Sequence, residues 1–310
     1  MKILNTAILL IVTLLIVPLI SYFFGKALGP NEWKALHTLI LMAAAVIAYS
    51  FIVGELTKNN SQVDKLWSLI PIAYAWVVVA YGDFAPRLLL MGVLVTLWGV
   101  RLTANFAMKR AYQWRFWSGE EDYRWQVLRQ KPEFSKPWIW MLFNLLFISG
   151  YQNVVILLFV LPTIVALQNN SFPLGSIDYT AATLMFGFIV YEMVADIQQW
   201  KYQSKKWAMI KAAEELNSDY EKGFLDKGLW AISRHPNYFA EQAIWVCFYL
   251  FSVAASGLWF NWSIAGCLLL IVLFQGSSNF SEEISAGKYP QYAAYQKRVP
   301  RFFPFGWIKK

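Results

Sequence analysis

The stretch SRHPNYFAEQAIWVCFYLFSVAA, residues 233–255, decides the fold class. It places a cation, an imidazole, an amide and a carboxylate within its first nine residues and then continues as an apolar run. An apolar run of roughly 20 residues is what an α-helix needs to cross a bilayer. Polar groups at the mouth of such a helix are costly, so they suggest a site for a charged ligand.

The whole chain has the composition of an integral membrane protein. Of its 310 residues, 58% are hydrophobic and 15% are charged, the mean hydropathy is +0.41, and 16 are Trp. This excludes an ordinary soluble domain, and the many Trp side chains fit two interfacial belts. The net charge of +8 does not require nucleic acid, because Lys and Arg collect in cytoplasmic loops and attract anionic lipid or phosphorylated ligands. We therefore predict contact with membrane lipid and no nucleic-acid partner.

Apolar stretches predict an all-α, polytopic transmembrane helical bundle of 7–8 helices. They lie at about residues 3–24, 36–56, 66–81, 86–108, 138–167, 178–200, 236–256 and 258–276. The fifth is long enough to tilt or break near Gly150, and the last two are expected to form a tight hairpin. The loops at 109–137 and 201–235 and the tail at 277–310 would cap the bundle. Without an internal repeat or a soluble linker, residues 1–310 are predicted to form a single membrane domain.

Charge placement predicts the orientation. If the N-terminus is cytoplasmic, 23 of the 27 Lys and Arg residues fall on the cytoplasmic side and three on the other. The 23 are Lys2, Lys58, Lys65 and those within 109–136, 201–234 and 288–310. Because positive charge stays inside, we predict that both termini are cytoplasmic.

The opening stretch could form an anion site at a helix start. Asn237 and Glu241 are four residues apart and share one helical face. Arg234 and His235 precede that face at the helix N-terminus, which itself favours anions. A phosphate could lie against Arg234 while an amide-bearing ring meets Asn237 and Glu241. The alternative is that Arg234 is a positive-inside anchor whose salt-bridge partner is Glu241.

Two other apolar segments carry polar side chains at helical spacing. Glu192, Asp196 and Gln199 share one face of the sixth segment, where carboxylates are costly unless they are paired or coordinate something. The alternative for them is a buried ion-pair network between helices. Arg101 lies deep in the fourth segment and begins a cationic ladder that suits a polyanionic cofactor. The lower rungs are Asn105, Lys109 and Arg110, of which the last two could simply snorkel.

Asp64 precedes the third apolar stretch and could be either a proton donor or a helix cap. The tyrosines at 289, 292 and 295 form a stripe that is more often packing than ligand contact. With two His residues and Cys247 and Cys267 inside apolar segments, no metal-ligand spacing is present. Glycine-rich nucleotide motifs are also absent.

Taken together, these residues resemble a bacterial family of uncharacterised membrane proteins grouped with the C-terminal domain of steroid 5-alpha reductases. The resemblance covers about residues 55–305, so that 1–54 would be additional N-terminal helices. The Arg-His-Pro-Asn-Tyr block in its context is its specific mark. The marks are Ser61-x-Val63-Asp64-x-x-Trp67, Trp98-Gly99-x-Arg101-Leu102, Glu121-Asp122-Tyr123-Arg124, Asp196-x-Gln198, Gly228-Leu229-Trp230-x-x-Ser233-Arg234-His235-Pro236-Asn237-Tyr238 and Tyr292-x-x-Tyr295-x-x-Arg298 before Phe303-Pro304.

The resemblance implies a bundle that binds NADPH on its cytoplasmic side and passes a hydride to the β-carbon of an enone. It places Asp64 near the position of a catalytic glutamate, and Asn237 and Glu241 beside the nicotinamide. We accordingly predict Asp64 and Glu241 as catalytic. The predicted cofactor-binding residues are Arg101, Asp196, Gln199, Arg234, His235, Asn237, Tyr238, Glu241, Glu282, Tyr295 and Arg298.

One feature departs from the reductases, which use a tyrosine as carbonyl partner in the region where this chain has Trp98. Indole does not have the acidity of a phenol.

Two alternatives to the reductase stay open. The Arg-His-Pro block and the tail also resemble isoprenylcysteine carboxyl methyltransferases, which bind S-adenosylmethionine. The third possibility is a non-enzymatic lipid-binding membrane protein. For the reductase we expect a lipid-soluble substrate, no protein partner and a bacterial inner-membrane location.

Overall fold

The structure, a computed structural model, describes residues 25–304 together with Ile16, Leu19 and Phe23. Throughout this part of the chain the regular structure is helical and no strand is present, which confirms the all-α prediction. The helices are α1 (Pro30–Thr57), α2 (Gln62–Trp67), α3 (Ile70–Tyr81), α4 (Pro86–Met108), α5 (Tyr123–Arg129), α6 (Pro137–Phe143), α7 (Gln152–Val160), α8 (Pro162–Gln168), α9 (Ser176–Lys211), α10 (Ser218–Glu221), α11 (Pro236–Ser256), α12 (Ile264–Lys288) and α13 (Tyr292–Arg298).

Within residues 25–304, seven helical segments are long and apolar enough to cross a membrane. They are Pro30–Thr57, Gln62–Tyr81, Pro86–Met108, Pro137–Gln168, Ser176–Lys211, Pro236–Ser256 and Ile264–Lys288. The predicted polytopic transmembrane bundle is thereby confirmed. The predicted segment at 3–24 lies outside the described residues. The orientation of the termini stays a prediction.

Helix α9 runs farther than the hydropathy pattern indicates. It has 36 residues and ends at Lys211, whereas the predicted segment ends at residue 200. At 1.5 Å per residue its length is about 54 Å, which exceeds a hydrocarbon core of about 30 Å. The predicted loop at 201–235 is therefore wrong for its first eleven residues. Hydropathy marks where the apolar environment ends, and residues such as Lys, Gln, Ala and Met continue a helix into water.

The predicted tight hairpin between the last two membrane segments is also wrong. Helix α11 ends at Ser256 and α12 begins at Ile264. Gly257 ends α11 with φ +73°, a conformation that favours glycine. Asn261 then accepts a hydrogen bond from the backbone N–H of Ser263 at 3.2 Å and so starts the next helix. The apolar residues in between belong to the loop.

The irregularity expected near Gly150 is a π-helical turn. Residues Asn144–Tyr151 form this turn between α6 and α7. Phe143, Phe147 and Tyr151 stack along it, with ring centroids 5.0 and 5.4 Å apart. π-Helical turns of this kind are rare and often occur at functional sites.

The chain divides into two compact units, each described here by itself. Unit 1 comprises the residues up to Leu184 together with Trp245–Leu270, and unit 2 comprises Met185–Ile244 and Ile271–Lys310. Each boundary falls inside a helix, namely α9, α11 or α12. The prediction of a single membrane domain therefore stays a prediction.

Aromatic packing and one buried ion pair hold unit 1 together. The ring of Trp245 lies 3.9 Å from that of Phe159 and 4.9 Å from that of Trp98, centroid to centroid. Arg87 and Asp178 are both buried and pair through two bonds of 2.8 and 2.9 Å. The two buried charges are tolerated because each is paired and hydrogen-bonded.

Candidate functional site

Helices α9 and α11 bring two of the predicted cofactor residues together in unit 2. The amide nitrogen of Asn237 donates to Oδ1 of Asp196 at 3.2 Å. The amide oxygen of Asn237 accepts from the backbone N–H of Tyr238 at 3.0 Å, which fixes the orientation of the amide. Asp196 is buried and Asn237 is half-buried. The pair is thus a fixed acid–amide arrangement at the start of α11.

The neighbouring positions add further polar groups to this arrangement. Glu241 follows Asn237 by one helical turn and is 4% exposed. On α9, Gln199 follows Asp196 by three residues. Its buried Oε1 receives no hydrogen bond from any described residue. A buried acceptor without a donor is costly, which makes Gln199 a candidate ligand contact.

The Gly-Leu-Trp mark holds the chain against α9 just before the site. The backbone N–H of Leu229 donates to Gln198 Oε1 at 3.0 Å, and the indole of Trp230 donates to the carbonyl of Ala195 at 3.1 Å. Gly228 has φ +61°, and a Cβ atom there would lie 2.7 Å from Gln198 Oε1. The left-handed conformation favours glycine here, and the absent side chain leaves room for the amide of Gln198.

Arg234 is engaged by the C-terminal part of unit 2. Its Nε and Nη2 donate to the two carboxylate oxygens of Glu282 at 2.7 and 3.1 Å. Its Nη1 donates to the backbone carbonyls of Gln296 and Val299. The ion-pair alternative named Glu241 as the partner of Arg234, and the structure supplies Glu282 in that role. Proximity in sequence suggested Glu241, whereas Glu282 comes from α12, 48 residues away.

His235 shares the same carboxylate. Its Nε2 lies 2.9 Å from Glu282 Oε1, and its ring stacks on Tyr238 at a centroid distance of 5.2 Å. Burial lowers the pKa of His235; Glu282 opposes this shift, and the charges of Arg234 and Arg301 add to it. His235 is therefore neutral at pH 7 and acts as a buried hydrogen-bonding ring.

The tail residues are held by packing and by surface pairing. Tyr295 packs with Tyr292, Phe224 and Val299 in a buried cluster, and burial raises its pKa. This confirms packing as the role of the tyrosine stripe, although the position at 289 precedes α13. Arg298 is exposed, and its Nη2 lies 3.6 Å from Asp226 Oδ2. Cofactor contacts of Tyr295 and Arg298 stay predictions.

Asp64 lies in unit 1 and is not the cap of α2. Ser61 occupies the N-cap position, and Asp64 is the third residue of the helix. The Asp64 side chain is 8% exposed, and its Oδ2 accepts a hydrogen bond of 2.9 Å from the indole of Trp125. The carboxylate of Asp64 also hydrogen-bonds the side chain of Ser61, so it engages the start of its own helix as well as α5. Its catalytic role stays a prediction.

A polar cluster around Asp64 escapes sequence analysis. Lys65 is fully buried, and its Nζ donates to the backbone carbonyls of Phe116 and Ser118 at 3.0 and 2.6 Å. Gln62 similarly donates to the carbonyl of Trp117 at 2.9 Å. These bonds fix the loop after α4. In the sequence, this cluster is visible only as a lysine beside an apolar run. The acceptors of its hydrogen bonds are backbone carbonyls, which every residue has, so the residue pattern does not reveal them.

Arg101 also belongs to unit 1, where it lies partly buried on α4. The ladder below it is shorter than predicted. Helix α4 ends at Met108, so Lys109 is its cap, and Arg110 has left the helix with φ +60°. Both are exposed, as the snorkelling alternative expects.

Across the described residues, no group of three or more His, Cys, Asp or Glu side chains could hold a metal ion.

The match to a known protein family covers nearly the same residues as the resemblance, and it does not say which reaction the family carries out. The family described as "Protein of unknown function (DUF1295)" matches residues 50–299. An uncharacterized protein of Schizosaccharomyces pombe is 39% identical over 273 residues, which cover 82% of this chain and 77% of the yeast protein. No solved structure matches the chain. A fungal relative gives no support to a bacterial origin, and the particular membrane stays a prediction.

Proposed function

The chain belongs to the DUF1295 family of proteins of unknown function, and we propose that it is an NADPH-dependent membrane reductase that transfers a hydride to an apolar enone. The bond between Asp196 and Asn237 is the observation that carries this proposal, together with the unsatisfied Oε1 of Gln199. A carboxylate, an amide and an acceptor without a donor suit the carboxamide of a nicotinamide ring, which offers both donors and an acceptor.

The phosphates of the cofactor would need cations that are not already engaged. Four of the five N–H donors of Arg234 are taken by Glu282 and two carbonyls. Lys201 and Lys205 follow Asp196 on α9 and line a cavity of about 270 Å³. Asp219 and Asp226 also line this cavity, where they pair with Lys227 and Lys222. Lys201 and Lys205 are the cations of unit 2 that best suit the phosphate end.

When bound, NADPH would supply the hydride for the β-carbon of the enone, so that one C=C bond is reduced while the cofactor is oxidised. The reaction also consumes one proton. By resemblance Asp64 lies near the position of a catalytic glutamate, and the indole of Trp125 holds its carboxyl group in place. The apolar helices would admit a lipid-soluble substrate from the bilayer.

Ligand binding by the purified full chain tests the proposal. The many Trp residues allow titration with NADPH, NADH and S-adenosylmethionine by fluorescence quenching in detergent. We expect NADPH to bind most tightly, and Asn237→Ala to weaken it at least about tenfold, the equivalent of one lost hydrogen bond to a charged group. Asn170→Ala is the control, because Asn170 is exposed and lies in unit 1, away from the residues of the proposed site.

Other outcomes would assign the protein differently. Binding of S-adenosylmethionine alone would identify a methyltransferase, and binding of none of the three would favour a lipid-binding protein. If NADPH binds, its oxidation in the presence of a panel of steroid, isoprenoid, fatty and quinone-type enones tests the reaction. Absence of turnover with every enone would limit the proposal to cofactor binding.

A further inference from the structure

Glu282 gathers an unusual number of donors in unit 2. Besides the two bonds from Arg234 and the contact with His235, its carboxylate accepts from Gln296 Nε2 at 2.9 Å and lies 3.5 Å from Arg301 Nη2. The residue is 3% exposed. A carboxylate with all its acceptor sites filled by the protein has little capacity left for a ligand.

The C-terminal segment 296–303, here called the strap, lies along the start of α11. The backbone N–H groups of Arg234 and His235 donate to the carbonyls of Pro300 and Arg301 at 2.9 and 3.0 Å. Ser233 Oγ donates to the same Arg301 carbonyl at 3.1 Å. These bonds use the backbone donors that precede the first turn of α11, where an anion would otherwise bind.

We propose that Arg234, His235 and Glu282 form a positioning lock that holds the strap against the start of α11 and so fixes Asn237. In this assignment the three residues, predicted from sequence as cofactor contacts, act through Asn237 without touching the cofactor. The consequence for ligand binding rests on the proposed function. The contact between the strap and the start of α11 does not depend on the proposed function, so it can be tested separately.

The first test measures release of the strap. Glu282→Ala should let trypsin cut after Lys297, Arg298 or Arg301 at least about tenfold faster than in the wild type, because a buried charge pair loses one partner. Mass spectrometry of the intact chain identifies the cut. The matched control is Asp178→Ala, which breaks the buried pair with Arg87 in unit 1. That control should lower thermal stability and leave the strap protected. An unchanged cleavage rate in Glu282→Ala would overturn the lock.

The second test separates positioning from direct contact. Arg234→Met removes the two-bond charged partner of Glu282, which keeps only His235, Gln296 and the longer contact with Arg301. Glu282→Met leaves Arg234 without a carboxylate, so each variant should weaken NADPH binding about tenfold. The double variant removes both charges and should bind better than either single variant, since no unpaired charge remains. If Arg234 contacts a phosphate directly, the double variant will bind no better than Arg234→Met, and the lock assignment fails. If the wild type binds no NADPH, the proposed function fails, while the proteolysis still decides the lock.

Discussion

At the scale of single residues, Arg234 shows what a motif reveals and what it conceals. The density of polar groups before an apolar run is visible in the sequence and predicts that this segment belongs to the site. The partner of Arg234 is not visible, because Glu282 lies 48 residues away and the bond between them depends on the path of α12. The same holds for Trp125, which is separated from Asp64 by 61 residues. Long-range pairs follow from packing, which a single sequence does not encode locally.

His235 predicts a pH dependence of stability. Its pKa is lowered in the folded protein by burial, against the opposing effect of Glu282 and with the added effect of Arg234 and Arg301. The unfolded state then binds the proton more readily than the folded state as the pH falls. The contribution of His235 to stability is therefore present above about pH 6.5 and is lost below it.

Thermal unfolding in detergent between pH 8 and pH 5 measures this effect. The wild type should lose stability on the acid side, and His235→Gln should lose less over the same interval, because glutamine does not titrate. The difference between the two curves isolates His235 from the acidic side chains that titrate in both proteins. Parallel curves would show that His235 is not the group responsible.

At the scale of elements, the apolar pattern predicted the membrane helices and misplaced some of their ends. The helix from Pro236 begins and ends where the predicted apolar stretch at 236–256 does. Helix α9 continues past its apolar part, and the loop before α12 is apolar although it is not helical. Both errors have one cause, since hydropathy reports the environment of a residue and helix ends are set by backbone hydrogen bonds and caps.

The small space around Gly99 shows that α4 packs closely against its neighbours in unit 1. A Cβ atom at this position would lie 2.5 Å from the Ser68 carbonyl oxygen and 2.6 Å from Ile72 Cδ1. Because one of these atoms belongs to the backbone, the neighbour cannot simply move aside. Gly99→Ala should therefore destabilise the protein by about 1–3 kcal/mol, the usual cost of overpacking.

The control for this prediction is Gly187→Ala on α9. A Cβ atom at Gly187 would meet no other atom within 4 Å, so alanine should be neutral or stabilising by up to about 1 kcal/mol through its higher helix propensity. The two variants differ only in what the added methyl group touches, and their melting temperatures in detergent can be compared directly. A Gly99→Ala protein as stable as Gly187→Ala would contradict the close approach.

At the scale of the whole molecule, composition was enough to predict an all-α membrane protein, because a bilayer admits few solutions for satisfying the backbone. The candidate site is predictable in part. Helical spacing and the resemblance predict Asp196 and Asn237 as site residues, and the structure brings the two together. The buried Lys65 and the loop that it holds were missed, since their bonds run to backbone carbonyls that every residue type possesses.

The charge distribution makes a prediction about the orientation of the chain. Replacing Cys247 and Cys267, both buried, by Ser gives a background for single-cysteine labelling. In it, Glu120→Cys and Glu214→Cys should react with a membrane-impermeant maleimide only after the cytoplasmic face is opened. Ser171→Cys should react in intact cells. All three positions are exposed, so accessibility of the side chain does not limit the result.

This orientation also constrains the proposed function. NADPH is a cytoplasmic cofactor, and the start of α11 with Asn237 follows a segment rich in Lys that the positive-inside rule assigns to the cytoplasm. A reversed labelling pattern would place that segment outside, where the cofactor is not supplied. It would then contradict both the orientation and the NADPH-dependent reductase, even if the purified protein bound the nucleotide. Agreement would place the acid–amide pair on the side where NADPH is made.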